Sequence, residues 1–376
     1  MAAAPSAVHP LPMSVAASTQ EAWATLSLKA IPHQALVALL RAFGNPSAVL
    51  EATRAQLAAV VPDVVAARVQ QPVAPESLAA TREWLADPSH EIIAWDDPDY
   101  PHALLDLGYA PPALFFVGRR QLLNRPALAI VGSRNATAQG IDNARAFAQA
   151  ISQAGLTIVS GLAVGVDAAA HEGALEGPGS TLAVVGTGLD RVYPARNREL
   201  AHRIAEHGGL ISEFHPGTPP RERNFPRRNR LISGLARGVV VVEAALSSGS
   251  LITARYAGEQ GREVFAIPGS IHSPLSKGCH RLIKDGAKLV ETAQDILEEL
   301  GMGATAARSA THTSNPVSAK EGKVLEALGG DAADVDTLVA RTAMAPDVVV
   351  AALTGLELAG QVAAIPGGQW QRLYRA

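Results

Sequence analysis

Leu128-Ala-Ile-Val-Gly-Ser-Arg-Asn-Ala-Thr-Ala-Gln-Gly140 decides the fold. An apolar run without polar alternation stops at a glycine, and a short polar turn leads into a helical pattern over Gly140–Ala154. A strand that is apolar on both faces belongs in a covered, parallel sheet. The glycine lets the backbone turn out of the strand.

The same unit recurs on either side. Ile92–Trp95 and Leu114–Val117 read as strands upstream. Thr157–Ser160, Leu182–Gly186, Leu210–Ser212, Val239–Glu243 and Val264–Ile267 read as strands downstream, with Val166–Leu175 as a further helix. Strands alternating with helices imply an α/β, extended Rossmann-like, doubly wound sheet over residues 73–300. Before it, residues 1–18 read as a disordered leader and 19–72 as a small helical (SAM/helix-hairpin-helix-like) domain. Its helices fall at Gln34–Phe43, Ser47–Leu50, Arg54–Val60 and Val64–Arg68, and Gln70-Gln71-Pro72 with Pro75 marks its end. Residues 301–318 are small and polar and read as a linker. Residues 319–376 suggest a winged-helix-like domain: helices at Glu321–Leu328, Asp336–Thr342 and Pro346–Ala359, then short strands at Gln361–Ile365 and Trp370–Tyr374 joined at Gly367-Gly368. The third helix has no Arg or Lys over Asp347–Ala359, so a docking or regulatory role is favoured over duplex reading.

With 48% hydrophobic and 18% charged residues, the 376-residue chain is globular rather than disordered, and long enough for two or three domains. The net charge of −3 points to no polyanionic partner, but its distribution does. Arginines number 26 against 6 lysines, and five of them, at 221, 223, 227, 228 and 230, face one acid, Glu222, within ten residues. Such a local patch can bind phosphate, although a solvated helix face would read the same way. A single cysteine, Cys279, excludes an internal disulfide and a cysteine-built zinc site. Neither a secretion-type leader nor an apolar run of ~18–20 residues is present, so the expected home is the cytoplasm, away from the membrane.

Five loops carry candidate chemistry. Gly132, Ser133 and Arg134 follow a strand and offer donors to an anion. In Val159-Ser-Gly-Leu-Ala-Val-Gly-Val-Asp-Ala-Ala-Ala-His171, Gly161 permits close approach. Asp167 and His171 share a helix face there; a hydrogen-bonded prop for the loop is favoured over a metal or acid–base pair. Val185-Gly-Thr-Gly188 opens like a dinucleotide fingerprint, but Arg191 holds the third glycine position and no ribose-binding acid follows. A nicotinamide or flavin is therefore disfavoured, and no cofactor or metal is expected. Asn224, Phe225, Arg227, Arg228, Asn229 and Arg230 combine one aromatic ring with cations and amides, the make-up of a single-strand platform. Ser248, Gly249 and Ser250 form a small polar cradle before a helix. Glu243, at the preceding strand end, is either an acid or base or an orienting group. Each loop lies at the carboxyl end of a candidate strand, the edge where open α/β sheets bind ligands. Several anion sites in a row suit an extended polyanion better than one nucleotide.

These motifs, with Tyr193-Pro194, Phe225-Pro226, Ser248-Gly-Ser-Leu-Ile-Thr253 and Val264-Phe-Ala-Ile-Pro-Gly269, resemble the DNA-processing protein A (DprA/Smf) family over residues 128–290. The resemblance implies a homodimeric, non-catalytic mediator of recombination. Such a protein would bind single-stranded DNA during natural transformation (competence), protect it and load RecA; other competence proteins are further candidate partners. It implies DNA contacts at Arg134, Phe225, Arg227, Arg228 and Asn229, flanked by Gly161 and the Ser248–Ser250 loop. Relatives often carry a lysine near the Tyr-Pro motif; this chain has Ala195-Arg196, which makes Arg196 the candidate there. The competing reading is a nucleotide phosphoribohydrolase of the related lysine-decarboxylase-like (LOG) family. Its Pro-Gly-Gly-x-Gly-Thr-x-x-Glu loop is replaced here by Ser-Ser-Gly-Ser-Leu-Ile-Thr without the glutamate. Arg134→Ala and Arg228→Ala are both expected to weaken binding without unfolding the domain.

Overall fold

Aliphatic runs form the strands of this computed structural model, which describes residues 13–105, 107, 109–302, 318–329, 332–365 and 367–373. Two compact units divide the chain. One comprises the residues up to Val117 with Gly186–Arg191 and Ile211–Arg221; the other comprises Gly118–Val185, Val192–Leu210 and the chain from Glu222 on.

The first unit holds helices α1 (Met13–Leu28), α2 (His33–Phe43), α3 (Pro46–Glu51), α4 (Arg54–Ala58), α5 (Asp63–Gln70), α6 (Pro75–Trp84) and α7 (His102–Leu105), with strands β1 (His90–Ala94) and β2 (Ala113–Gly118). Leu36, Leu39, Val49, Leu57 and Val65 close the core of the helical part. Three expectations change here. Residues 13–18 belong to α1, while residues 1–12 of the expected leader lie outside the described residues. Pro75 does not end an element; it starts α6, because a proline at the first helical position gives up only an amide that has no partner in the helix anyway. The expected boundary at 72/73 also moves. Trp23 of α1, Trp84 of α6 and Ile92 and Phe115 of the β1–β2 pair share one core, so the first two strands group with the helices.

In the second unit come β3 (Ala127–Val131), α8 (Ala138–Gln153), β4 (Thr157–Ser160), α9 (Val166–Ala174), β5 (Thr181–Val184), α10 (Arg198–His207) and the first two residues of β6 (Gly209–Ser212). There follow α11 (Asn224–Leu235), β7 (Gly238–Val241), α12 (Ser250–Glu259), β8 (Glu263–Ala266), α13 (Lys277–Lys284), β9 (Lys288–Leu289) and α14 (Ala293–Glu299). Six of the strands lie in the order β5-β4-β3-β7-β8-β9, every neighbour parallel. Every residue of β3, β4, β5 and β7 is buried, which accounts for their unbroken apolar sequences. The chain winds from β3 outward through β4 to β5, then returns to place β7 on the other side of β3 and winds outward again. The order therefore reverses between β3 and β7, and the loops leaving those strands part company there. Phe147, Ile151, Ile158, Val240 and Phe265 are among the residues packing α8, α9 and the sheet into one core.

Beyond the linker, of which residues 303–317 lie outside the described residues, α15 (Ala319–Leu328), β10 (Ala333–Asp334), α16 (Val335–Thr342), α17 (Pro346–Leu358), β11 (Val362–Ile365) and β12 (Gln369–Arg372) follow. The three strands pair antiparallel in the order β10-β12-β11, over a core that includes Val324, Leu338, Leu353 and Val362. Tyr374 of the expected last strand lies outside the described residues.

Candidate nucleic-acid interface

A cavity of about 890 Å³ opens where the strand order reverses. Its walls come from the loop after β3 (Gly132, Ser133, Arg134), the loop after β7 (Ser248, Gly249, Ser250) and one side of α11 (Phe225, Arg228, Asn229). A smaller recess of about 90 Å³ shares Arg134, Phe225 and Arg228 with it and adds Gly161 and Pro194. Ten of the fourteen expected residues thus meet at one place. Asn224, Arg196, Arg227 and Arg230 line neither space.

At the mouth, the exposed Arg134 sets its guanidinium carbon 5.6 Å from the centre of the Phe225 ring. Tyr193 lies 5.6 Å from the same ring at an interplanar angle of 31°. This places a cation, two aromatic faces and the cavity together. Helix α12 begins at Ser250, which lines the cavity, and α11 reaches the cavity in its first turn at Phe225, so the positive ends of two helix dipoles lie beside it. A phosphate finds charge here, and a base finds a ring.

Arg228 has a different task from the one expected of it. It is 4% exposed, and its Nη1 donates to the carbonyls of Gly161, at 2.6 Å, and Val184. The guanidinium therefore joins α11 to the ends of β4 and β5. Burial brings its pKa down to about 10, the buried Asp167 nearby opposing that shift and Arg134 adding to it. Gly161 exists for this side chain: a Cβ there would stand 2.5 Å from Nη1. Removing Arg228 strips partners from buried carbonyls, so Arg228→Ala is expected to cost stability, contrary to the expectation from sequence that the domain would be indifferent.

The loop after β4 is held from beneath. Asp167 accepts from the amides of Gly161, at 3.1 Å, and Ala163, at 3.4 Å. The Leu162 amide donates to His171 Nε2 at 3.2 Å; His171 Nδ1–H donates to Thr181 Oγ1 at 2.7 Å, and the Thr181 hydroxyl donates to the Ile158 carbonyl at 2.7 Å. That chain of donors fixes His171 as the neutral Nδ1–H tautomer. Burial, with Arg228 adding to it, pushes its pKa down to about 3. Asn197, absent from the sequence reading, donates to the carbonyls of Leu162 and Ala163 at 2.9 and 3.2 Å. Leu162 needs this support because its φ of 58° lies in the left-handed region. The Asp167–His171 pair is thus a prop for the loop. Among the described residues no group of three or more His, Cys, Asp or Glu could hold a metal ion.

Glu243 is likewise structural. Its Oε2 accepts from the Thr137 amide at 2.9 Å and its Oε1 from the Thr137 hydroxyl at 2.6 Å, while Thr137 caps α8 through the Gly140 amide at 3.0 Å. Its side chain orients the loop after β3, where the sequence suggests the Ser248–Ser250 loop. Asn229 ties the third wall in: its Nδ2 donates to the Gly249 carbonyl at 3.5 Å and its Oδ1 accepts from Arg228 Nε at 3.2 Å. Besides Asn197, sequence reading left Tyr193 and Asn135 out of the site. Tyr193 stood in view beside Pro194, and its place on Phe225 depends on a contact between distant segments.

The fold defines a doubly wound α/β protein that also carries a winged-helix domain. The family profile for DNA recombination-mediator protein A matches residues 91–301, and that for the DprA winged helix domain matches 308–368. Protein Smf of Escherichia coli is 44% identical over 308 residues, covering 80% of this chain and 82% of that protein. DNA processing protein DprA of Streptococcus pneumoniae is 48% identical over 219 residues, covering 58% and 76%. Its X-ray structure matches with a TM-score of 0.63 at 40% identity, over 73% of this chain and 95% of that one. A Helicobacter pylori DprA structure, described as giving insight into a unique single-stranded DNA binding mode, matches with a TM-score of 0.52 at 30% identity, over 56% and 95%. The chain belongs to the DNA recombination-mediator protein A (DprA/Smf) family.

Proposed function

We propose that the cavity between the β3 and β7 loops binds single-stranded DNA, and that the chain acts as a recombination mediator without changing the DNA covalently. The observation that carries this is the Arg134–Phe225–Tyr193 group at the mouth of the cavity. A single strand offers unstacked bases to the rings and phosphates to Arg134, whereas a duplex keeps its bases paired and stacked. Ser248, Gly249 and Ser250 make the opposite wall, and Gly132 and Ser133 the floor beside Arg134. The binding mode named for the Helicobacter pylori relative supports the choice of ligand. Against a phosphoribohydrolase stands Glu243, both of whose oxygens are engaged by Thr137.

Protection of incoming DNA, loading of RecA, a homodimer and a cytoplasmic setting complete the proposal, and family membership supports them. No single helix among the described residues is long and apolar enough to cross a membrane. The test is a salt titration with labelled single-stranded and duplex oligonucleotides. Single strands should bind more tightly, with log affinity falling linearly with log salt at about −0.7 per phosphate engaged. Equal affinity for duplex would overturn the single-strand reading; base release from a nucleoside monophosphate would overturn the non-catalytic one. RecA filament growth on a single strand, followed with and without the chain, tests the loading role.

A further inference from the structure

Among the described residues, two acids line the cavity, Asp167 and Glu222. Asp167 is buried and engaged by the amides of Gly161 and Ala163. Glu222 differs on both counts. It is exposed, and among the described residues its carboxylate makes no hydrogen bond and no ion pair, although arginines stand at 221, 223, 227 and 228. Helix α11 begins two residues later without a side-chain cap, so capping does not occupy the carboxylate either. The Phe225 amide donates to the Glu222 carbonyl at 3.3 Å, so the two residues are the ends of one turn. That turn puts Glu222 next to the ring on which a base would stack, and both residues line the cavity.

We propose that Glu222 gives the cavity a preference for guanine, its carboxylate accepting from the N1–H and the N2 amino group of a base stacked on Phe225. The inference rests on the single-strand reading above and adds a base preference to it. A carboxylate repels the phosphates that the same cavity attracts, so it weakens the binding of any strand that gives it no donor. It accepts hydrogen bonds and donates none. Guanine alone sets two N–H donors side by side, spaced to meet the two carboxylate oxygens, and a paired contact of this kind discriminates between bases. Thymine's N3–H lies between two carbonyls. In cytosine and adenine a ring-nitrogen lone pair sits beside the amino group and faces the second oxygen.

The test titrates the unaltered full chain and Glu222→Met, which keeps the bulk and removes both acceptors, with three labelled strands of about 20 nucleotides. One alternates thymine with guanine, one alternates thymine with hypoxanthine (guanine without its N2 amino group), and one is all thymine. Lithium chloride is the salt, so that guanines do not form quadruplexes. The unaltered chain should bind the guanine strand about fivefold or more tighter than the all-thymine strand, with the hypoxanthine strand between them. In Glu222→Met the three affinities should converge. The all-thymine strand should also bind this variant more tightly than the unaltered chain, because a repulsive charge is gone. A guanine preference that survives Glu222→Met overturns the assignment. Equal binding of all three strands by the unaltered chain overturns it too, leaving the cavity reading intact and Glu222 as a repulsive charge. Equal binding of the guanine and hypoxanthine strands overturns the two-donor contact. Failure of the unaltered chain to bind any of the three overturns the single-strand reading, and the preference with it.

Discussion

Arg134 and Arg228 border the same cavity and do opposite work. Arg134 lies at the surface on Phe225, so Arg134→Ala should leave the melting temperature unchanged and weaken single-strand binding, measured by fluorescence anisotropy. The loss should shrink as salt rises, because the phosphate contact is screened while the uncovered Phe225 face becomes free to stack. A loss that grows with salt would contradict a phosphate role for Arg134. Arg228→Ala should cost about 3 kcal/mol in urea unfolding, since it leaves the carbonyls of Gly161 and Val184 without their donor and Asp167 without its compensating charge. Gly161→Ala reaches the same place from the other side. Its Cβ would push on the guanidinium, and about 1–3 kcal/mol of overpacking is expected in the same assay. The difference between the two arginines is not written in the sequence, where both sit beside polar or glycine residues. It depends on α11 crossing the ends of β4 and β5, through bonds that span 67 and 44 residues.

The loop after β4 illustrates how an element can be held by buried polar groups. His171 stays neutral in the folded protein down to about pH 3, whereas in the unfolded chain it takes a proton near its ordinary 6.5. The unfolded state therefore binds more protons between those values. The stability is fully present above pH 6.5 and is lost as the pH falls toward 3, by about 2 kcal/mol at pH 5 from this histidine alone. His215 in the other unit, pushed down to about 4 by burial, acts in the same direction. Urea unfolding at pH 7 and pH 5 measures the sum, and His171→Gln should flatten part of the slope; stability independent of pH over this interval would refute the buried-neutral state. At this scale the sequence is most readable. The apolar runs of β3, β4, β5 and β7 mark strands fully covered on both faces, and the glycine after β3 and the small polar loop after β7 mark the site edge. β9 escapes because two exposed residues, Lys288 and Leu289, carry no periodic signal. α6 escapes because Pro75 reads as a break where it is a start.

Across the molecule, one core is confined to a single stretch of chain, that of the winged-helix domain. The winged-helix core draws only on residues from Val324 onward, and α17 exposes Asp347, Val350, Thr354, Glu357 and Leu358, with no cation among them. Removing the chain from residue 303 on should therefore leave both single-strand and duplex affinity unchanged; a drop in duplex affinity alone would give α17 the duplex-reading role that its composition argues against. The doubly wound order and the three-helix C-terminal pattern were legible because they repeat local rules. The grouping of β1 and β2 with the N-terminal helices was not, because it depends on Trp23, Trp84 and Phe115 meeting across some ninety residues. The reversal of strand order between β3 and β7 also governs when the site comes into being. The wall after β3 ends at Asn135 and the wall after β7 lies at Ser247–Thr253, on opposite sides of that reversal. A ribosome adding about 5–20 residues per second needs roughly ten seconds to pass from one to the other. Throughout that interval the nascent chain carries half of the cavity wall, and the cavity is complete only after the second half of the sheet has been made and has closed against the first.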